Sequence, residues 1–229
     1  MKITENLKKK TLKASEKEGR MKSILAVGDS NTWGLVPGSR NRERYPWEIR
    51  WTGALQLQCG DIRIIEEGLC GRTTVFEDTL RAGRKGTATL PLIMETHHPL
   101  DAVIIMLGTN DCKTAYGASA SDIGHGLEAC LVEIGKYLPP DRILIVSPAL
   151  LGENVWQSDK DPEFGPRSVE VCRELKAVYS QIAGKRGSAF LAASDYVVVN
   201  GADDEHFDEK GHLTFALAVY EKLKEMEVI

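Results

Sequence analysis

Five short apolar runs recur along the chain, each bounded by polar or turn-forming residues. They fall at residues 23–27, 62–66, 102–107, 142–147 and 189–192. Apolar runs of this length, rich in β-branched side chains and followed by glycine, aspartate or serine, are typical of buried strands. The pattern therefore predicts five strands.

Longer segments with helical periodicity separate these runs. The clearest is 123–138, in which Leu127, Leu131, Ile134 and Leu138 form one apolar stripe. Further helices are predicted at 47–57, 90–97, 168–183 and 209–226. Strands that are apolar throughout and alternate with helices predict an α/β fold, in which helices cover both faces of a parallel sheet.

Composition and charge narrow the class of protein. A chain of 229 residues with 42% hydrophobic and 27% charged residues fits one soluble globular domain. The net charge of −4 gives no reason to expect nucleic acid or a membrane as partner, and no apolar stretch approaches membrane-spanning length. We expect the polar, lysine-rich residues 1–20 to form an extension and residues 21–229 to form a single domain.

The cysteines indicate the redox environment. There are five, widely spaced and without a Cys-x-x-Cys pair. This usage favours reduced thiols in the cytoplasm over a disulfide framework or a zinc site, and no signal peptide is recognisable. No histidine belongs to a known metal-binding spacing, so neither a metal nor a cofactor is predicted.

Three polar motifs follow strands and carry the candidate chemistry. Gly-Asp-Ser-Asn-Thr-Trp-Gly occupies 28–34 after the first strand, Gly71 follows the second, and Gly-Thr-Asn-Asp occupies 108–111 after the third. A glycine-flanked turn after a strand lifts a serine hydroxyl out of the end of a sheet, as in the α/β-hydrolase elbow. Because ligands bind at the carboxyl ends of parallel strands, we expect these motifs to share one site.

A serine hydroxyl needs a base to take its proton, and the sequence offers one near its C-terminus. His206 lies in the loop before the last helix, and Asp203 precedes it by three residues. Asp203 can hold one imidazole nitrogen while the other faces Ser30, which is the logic of a catalytic triad. The alternative is a solvated acidic turn with a helix-capping aspartate.

Acyl transfer also requires hydrogen-bond donors where negative charge develops in the transition state. The candidates are the backbone N–H groups of Ser30 and Gly71 and the side-chain amide of Asn110. The alternatives are an ordinary turn glycine at Gly71 and an Asx turn at Asn110.

These motifs resemble those of the GDSL/SGNH hydrolase superfamily. The segments 28–34, 50–53, 66–69 and 104–111 are similar to the branch of bacterial arylesterases, acyltransferases and perhydrolases. The resemblance implies a flavodoxin-like three-layer fold with a five-stranded parallel sheet, metal-free catalysis, short acyl esters as substrates and a homo-oligomer. It makes Ser30 the nucleophile, His206 the base and Asp203 its partner, with Gly71 and Asn110 as oxyanion donors.

The substrate side of the site is less constrained by the motifs. Asn31 stands where the family name would place a leucine, and Glu205 puts a charge just before the histidine, where close relatives tend to be apolar. Trp33 is expected to wall the acyl pocket, with core packing as the alternative, and the long loop 152–166 adds two aromatic rings. The predicted substrate-binding set is Trp33, Asn31, Thr109, Glu205, Trp156 and Phe164.

Taken together, the sequence predicts a serine esterase acting on short-chain acyl esters through an acyl-serine intermediate, with acyl transfer or perhydrolysis as a second outcome. A carbohydrate O-acetylesterase is the alternative if Asn31 and Glu205 line the alcohol side. A catalytically inactive binding module is the alternative from another class, although such a module has no need for Asp203 and His206.

Overall fold

The computed structural model describes residues 20–39 and 41–229, and its core is one sheet of five parallel strands. The strands are β1 (Ser23–Gly28), β2 (Arg63–Gly68), β3 (Ala102–Met106), β4 (Ile143–Ser147) and β5 (Ala189–Ala192). They lie in the order β2-β1-β3-β4-β5. This is the flavodoxin-like arrangement of a doubly wound α/β fold, and the predicted fold class is confirmed.

Among the described residues, six α-helices follow or connect the strands. They are α1 (Ser30–Trp33), α2 (Trp51–Cys59), α3 (Gly86–His97), α4 (Ala120–Ile134), α5 (Pro166–Arg186) and α6 (Glu209–Glu225). Helix α4 begins with a capping box, in which Ser119 and Asp122 satisfy each other's backbone N–H groups. Helix α1, only four residues long, was not predicted, because a single turn carries no periodicity.

The period-two alternation of side chains along each strand divides the core into two layers. In β1, Leu25 and Val27 pack with α3, α4 and α5, whereas Ile24 and Ala26 pack with α2 and α6. Helices thus bury both faces of the sheet, which is why the strands read as continuous apolar runs.

The strand ends are level where the site forms. Gly28 at the end of β1 pairs with Gly68 of β2 on one side and with Met106 of β3 on the other. The segments that follow these residues therefore leave the sheet side by side. Residues 1–19 of the predicted extension lie outside the described residues, and the division into an extension and a single domain stays a prediction.

Candidate active site

Ser30 is positioned by the short turn of helix that follows β1. Asp29 caps this helix, its carboxylate accepting a hydrogen bond from the Asn31 N–H at 3.0 Å. The helix ends at Gly34, which has φ +85° and donates its N–H to the Ser30 carbonyl at 2.8 Å. A left-handed residue without a Cβ is what allows the chain to leave after one turn.

Close backbone packing presses α1 onto the sheet. A Cβ on Gly68 would lie 2.2 Å from the Trp33 nitrogen, and one on Gly28 would lie 2.0 Å from the Thr32 Oγ1. Both glycines therefore permit an approach that any larger residue would block, and the serine is held directly above the ends of β1 and β2.

A loop before α6 brings histidine and aspartate to the serine. The His206 Nε2 lies 2.8 Å from the Ser30 Oγ, and the His206 Nδ1 lies 2.8 Å from the Asp203 Oδ2. All three side chains are buried. The geometry is that of a nucleophile, a base and an orienting carboxylate within hydrogen-bonding reach.

Asp203 is itself held by backbone donors. Its Oδ1 accepts the N–H groups of Glu205 and His206 at 3.0 Å, and its Oδ2 accepts the Gly38 N–H at 2.7 Å. The Gly38 contact comes from the segment after α1. The orienting carboxylate thus ties its own turn to the nucleophile side of the cleft.

The next residue, Asp204, takes the left-handed conformation with φ +59°, which is uncommon for a residue with a side chain. Its carboxylate accepts hydrogen bonds from the Lys160 Nζ at 2.5 Å and the Asn154 N–H at 3.3 Å, and its carbonyl accepts the Gly152 N–H at 2.8 Å. Contacts with the loop 152–166 therefore stabilise the turn that carries the histidine.

Asn31 joins the two sides of the site. Its Nδ2 donates to the Glu205 carbonyl at 3.3 Å, and its Oδ1 accepts the Phe207 N–H at 2.9 Å. Both ends of the amide are used by the backbone flanking His206, and the side chain is buried. The structure thus places Asn31, which the sequence assigned to substrate binding, between α1 and the histidine loop.

The three residues predicted to supply the oxyanion donors, Ser30, Gly71 and Asn110, line the same cleft. The Asn110 Nδ2 donates one hydrogen bond, to the Arg72 carbonyl at 3.1 Å, which orients the amide and leaves its second N–H available. The Ser30 and Gly71 N–H groups donate to no other group among the described residues. Gly71 has φ +82°, a conformation that glycine adopts without strain.

These residues line a cleft of about 430 Å³, in which charged side chains predominate over aromatic ones. Four cations and four acids contribute to the wall, namely Arg42, Arg81, Lys113, Lys160, Asp159, Asp161, Asp203 and Glu205. The remaining described wall includes Ser30, Cys70, Gly71, Asn110 and His206. The wall of the cleft therefore carries charges of both signs.

Burial and neighbouring charge tune the titrating groups. Burial alone lowers the pKa of His206, but the carboxylates of Glu205 and Asp203 outweigh burial and raise that pKa to about 9. Burial raises the pKa of Glu205 to about 7. Burial also opposes ionisation of Asp203, yet the hydrogen bond and charge of His206 lower the pKa of that carboxyl to about 2.

Of the predicted substrate-binding residues, Glu205 lines the cleft and the other five do not. The Trp33 ring lies under the Arg44 guanidinium, 4.8 Å from its carbon, and the Trp156 indole N–H donates to the nearby Glu153 carbonyl at 3.0 Å. The structure therefore places neither side chain in the wall of this cleft.

Two buried members of the predicted set also lie outside the cleft wall. Phe164 is 3% exposed and lies beneath the Lys113 ammonium, which is 5.6 Å from its ring centroid. Thr109 is buried just before Asn110 and does not line the cleft. Both side chains pack into the protein interior, which a sequence motif does not reveal.

Several cleft residues escaped the sequence analysis. Arg81 comes from the loop between β2 and α3, Lys113 from the turn after Asn110, and Asp159 and Asp161 from the loop before α5. None belongs to a periodic pattern or a motif. Only the position of Lys113, three residues after Asn110, could have indicated its place.

Two further findings concern residues 20–39 and 41–229 as a whole. Within them, no group of three or more histidine, cysteine, aspartate or glutamate side chains is arranged to hold a metal ion. No helix in that part of the chain combines the length and apolar character needed to cross a membrane.

Fold and site together define a hydrolase built on a doubly wound α/β sheet. A model of the GDSL-like lipase/acylhydrolase family matches residues 26–215, and the chain belongs to that family of ester-hydrolysing enzymes. The resemblance to GDSL/SGNH hydrolases is thereby confirmed. A comparison with curated proteins found no match.

Solved structures agree with this assignment. An aryl esterase of M. smegmatis in inhibitor-bound form is 31% identical, with a TM-score of 0.80, covering 90% of this chain and 99% of its own. A carbohydrate acetylesterase from Sinorhizobium meliloti is 33% identical, with a TM-score of 0.79, covering 90% of this chain and 99% of its own. The chain is thus similar along nearly its whole described length to an aryl esterase and to a carbohydrate acetylesterase.

Proposed function

We propose that the protein hydrolyses short-chain acyl esters through an acyl-serine intermediate, with Ser30 as nucleophile, His206 as base and Asp203 as its orienting partner. The observation that carries this proposal is the unbroken chain of 2.8 Å contacts from the Ser30 Oγ through His206 to Asp203. The buried site excludes bulk water from these contacts, which strengthens them.

In acylation, His206 takes the Ser30 proton as the oxygen attacks the ester carbonyl. The carbonyl oxygen becomes an oxyanion, for which the N–H groups of Ser30 and Gly71 and the Asn110 amide serve as donors. His206 then returns the proton to the leaving alcohol oxygen, and an acyl-serine remains. Deacylation repeats these steps with water as the attacking nucleophile.

Loss of either Ser30 or His206 tests the proposal directly. We expect Ser30→Ala and His206→Ala each to lower kcat for p-nitrophenyl acetate by about 10³-fold or more, because members of a triad act as a unit. An active-site phosphonate should label the parent enzyme once, at Ser30, as read by mass spectrometry of peptides. Ester hydrolysis that survives in Ser30→Ala, or labelling at another residue, would remove Ser30 from the nucleophile role.

The polarity of the cleft helps to decide whether the acyl group passes to water or to another nucleophile. A restricted apolar entrance would favour acyl transfer to alcohols or perhydrolysis, but Trp33, Trp156 and Phe164 do not line this cleft. We therefore expect hydrolysis to dominate and transfer from vinyl acetate to a primary alcohol in buffer to be a minor product. Chromatography of the products checks this expectation, and an alcohol ester as the main product would contradict it.

The carbohydrate O-acetylesterase remains the second candidate, favoured by the charged lining of the cleft.

The location of the protein in the cell and its oligomeric state are further proposals. Five free cysteines favour a reducing cytoplasm, which cell fractionation tests. A homo-oligomer, suggested by the family resemblance, is tested by the mass of the purified protein in solution.

A further inference from the structure

Glu205 carries a buried carboxylate that takes no part in the proton transfers of the proposed Ser30–His206–Asp203 mechanism. The residue is 5% exposed, yet it lines the cleft. Among the described residues, its carboxylate accepts no hydrogen bond, and its nearest charged contact is the His206 Nε2, 3.8 Å from its Oε1. In the described part of the chain, the Glu205 carboxylate is therefore an acceptor without a protein donor, and a ligand in the cleft can supply one.

The backbone fixes where this carboxylate lies. The Glu205 N–H donates to the Asp203 Oδ1 at 3.0 Å, and its carbonyl accepts from the Asn31 Nδ2 at 3.3 Å. The preceding residue, Asp204, is pinned in its left-handed turn by Lys160 and Gly152. These contacts fix the backbone of Glu205, and therefore the point at the edge of the cleft from which its side chain starts.

The chemistry of the triad tells which part of a substrate meets Glu205. His206 Nε2 gives its proton to the leaving alcohol oxygen, so that oxygen must come within about 2.6–3.2 Å of Nε2. Glu205 lies beside the same nitrogen, since its Oε1 is 3.8 Å from the His206 Nε2. The carboxylate therefore faces the alcohol part of the ester, next to the scissile bond.

We propose that Glu205 is a specificity-determining residue that accepts a hydrogen bond from a hydroxyl group on the carbon adjacent to the one bearing the scissile ester oxygen. This inference rests on the proposed function and names its preferred substrates as monoacyl esters of 1,2-diols and polyols. An ammonium group could also donate, but His206 becomes an imidazolium when it takes the Ser30 proton, and its Nε2 lies 3.8 Å from the Glu205 Oε1, which disfavours a second cation there.

Two isosteric esters test the proposal. In 2-hydroxyethyl acetate the terminal hydroxyl can reach Glu205, and in propyl acetate a methyl group takes its place. We expect the parent enzyme to favour 2-hydroxyethyl acetate by about 10–100-fold in kcat/KM, the range for a hydrogen bond to a charged group. Glu205→Leu should lower this ratio at least tenfold, and Glu205→Gln, which keeps a carbonyl acceptor, should lower it less. The intrinsic reactivities of the two esters cancel when enzyme variants are compared.

Glu170→Leu is the matched control, since it makes the same substitution at an exposed position of α5 that does not line the cleft. We expect its ratio to equal that of the parent enzyme, and thermal denaturation to show that every variant is folded. An unchanged ratio in Glu205→Leu, or an equal loss in Glu170→Leu, would overturn the proposal. A preference for 2-(dimethylamino)ethyl acetate over both esters would mean that Glu205 recognises a cation and not a hydroxyl group, and would also overturn the proposal.

The aryl ester separates this inference from the proposed function. p-Nitrophenyl acetate carries no such hydroxyl, so its Ser30-dependent hydrolysis tests the serine mechanism alone. Hydrolysis of the aryl ester without a preference between the two alkyl esters would defeat the Glu205 inference and leave the proposed function standing. No hydrolysis of any of these esters would defeat the proposed function itself.

Discussion

At the scale of single residues, the proposed oxyanion donor Asn110 is held in place by hydrogen bonds of its own side chain and of its loop. The Asn110 amide is oriented by its hydrogen bond to the Arg72 carbonyl at 3.1 Å. The adjacent Asp111 is fully buried and accepts the Thr74 N–H at 2.9 Å, which anchors the loop that carries Asn110. A donor held in place before charge develops needs no reorganisation during the reaction.

This arrangement predicts the kinetic signature of Asn110→Ala. We expect kcat to fall by about 10²–10³-fold with little change in KM, because the amide meets charge present only in the transition state. Steady-state kinetics with p-nitrophenyl acetate measures both parameters. An increase confined to KM would show instead that Asn110 binds the ground-state substrate.

At the scale of elements, the site depends on a link between α1 and the loop before α6. Asn31, one residue after Ser30, uses both ends of its amide on the backbone on either side of His206. The nucleophile and its base come from opposite ends of the chain. Their 2.8 Å contact therefore relies on a buried bridge between these two elements.

Asn31→Leu tests that bridge, since leucine has similar size but no polar atoms. We expect the free energy of unfolding to fall by about 2–4 kcal/mol, because the Glu205 carbonyl and the Phe207 N–H lose their partners. We also expect kcat to fall as the histidine loses its support. Urea denaturation and steady-state kinetics measure the two effects.

Asn31→Asp is the matched comparison, since it keeps an acceptor for the Phe207 N–H and loses only the donor to Glu205. It should therefore be intermediate in activity at a pH where the parent is active. Wild-type stability and kcat in Asn31→Leu would mean that the two elements are held together by other contacts.

At the scale of the whole molecule, the buried titrating groups make stability fall and activity rise as the pH increases. The pKa of Glu205 is raised from 4.5 to about 7 and that of His206 from 6.5 to about 9. Both groups bind protons more strongly in the folded state than in the unfolded state. The stability that they contribute is full below their unfolded pKa values and is lost as pH rises through the folded ones.

We therefore expect Tm to fall between about pH 4.5 and pH 9, while kcat/KM rises between about pH 6.5 and pH 9 as His206 becomes neutral and able to act as base. Calorimetry and initial rates, measured in the same buffers, check the two trends. A rate that is flat from about pH 5 to pH 9 would contradict a histidine base with a raised pKa.

Glu205→Gln is the informative variant for this effect. Removing one carboxylate beside the imidazole should move the acidic limb of the rate profile down by about 1 pH unit or more and flatten the fall in Tm. A limb that stays in place would assign the raised pKa of His206 to Asp203 alone.

Much of this molecule was readable from local sequence pattern. The five predicted strands each lie within one or two residues of those observed, because a strand buried on both faces must be apolar at every position. The motifs at 28–34 and 108–111 follow β1 and β3 and meet at one edge, because parallel strands share the direction of their carboxyl ends. Helix starts were less accurate: α3 begins at Gly86, four residues before the predicted start, since its first turn lacks apolar periodicity.

What the sequence by itself determined, then, is the fold class, the family and the candidate triad, because each depends on residue type and spacing within a few positions of a strand end. Tertiary structure alone decided which side chains line the cleft. Trp33 contacts Arg44, Trp156 bonds to the Glu153 carbonyl, and neither lines the cleft. Asn31 bonds to the backbone on either side of His206, and Glu205 lines the cleft beside the His206 Nε2. The direction in which a loop side chain points is set by long-range contacts with no periodicity, so no local pattern could reveal it.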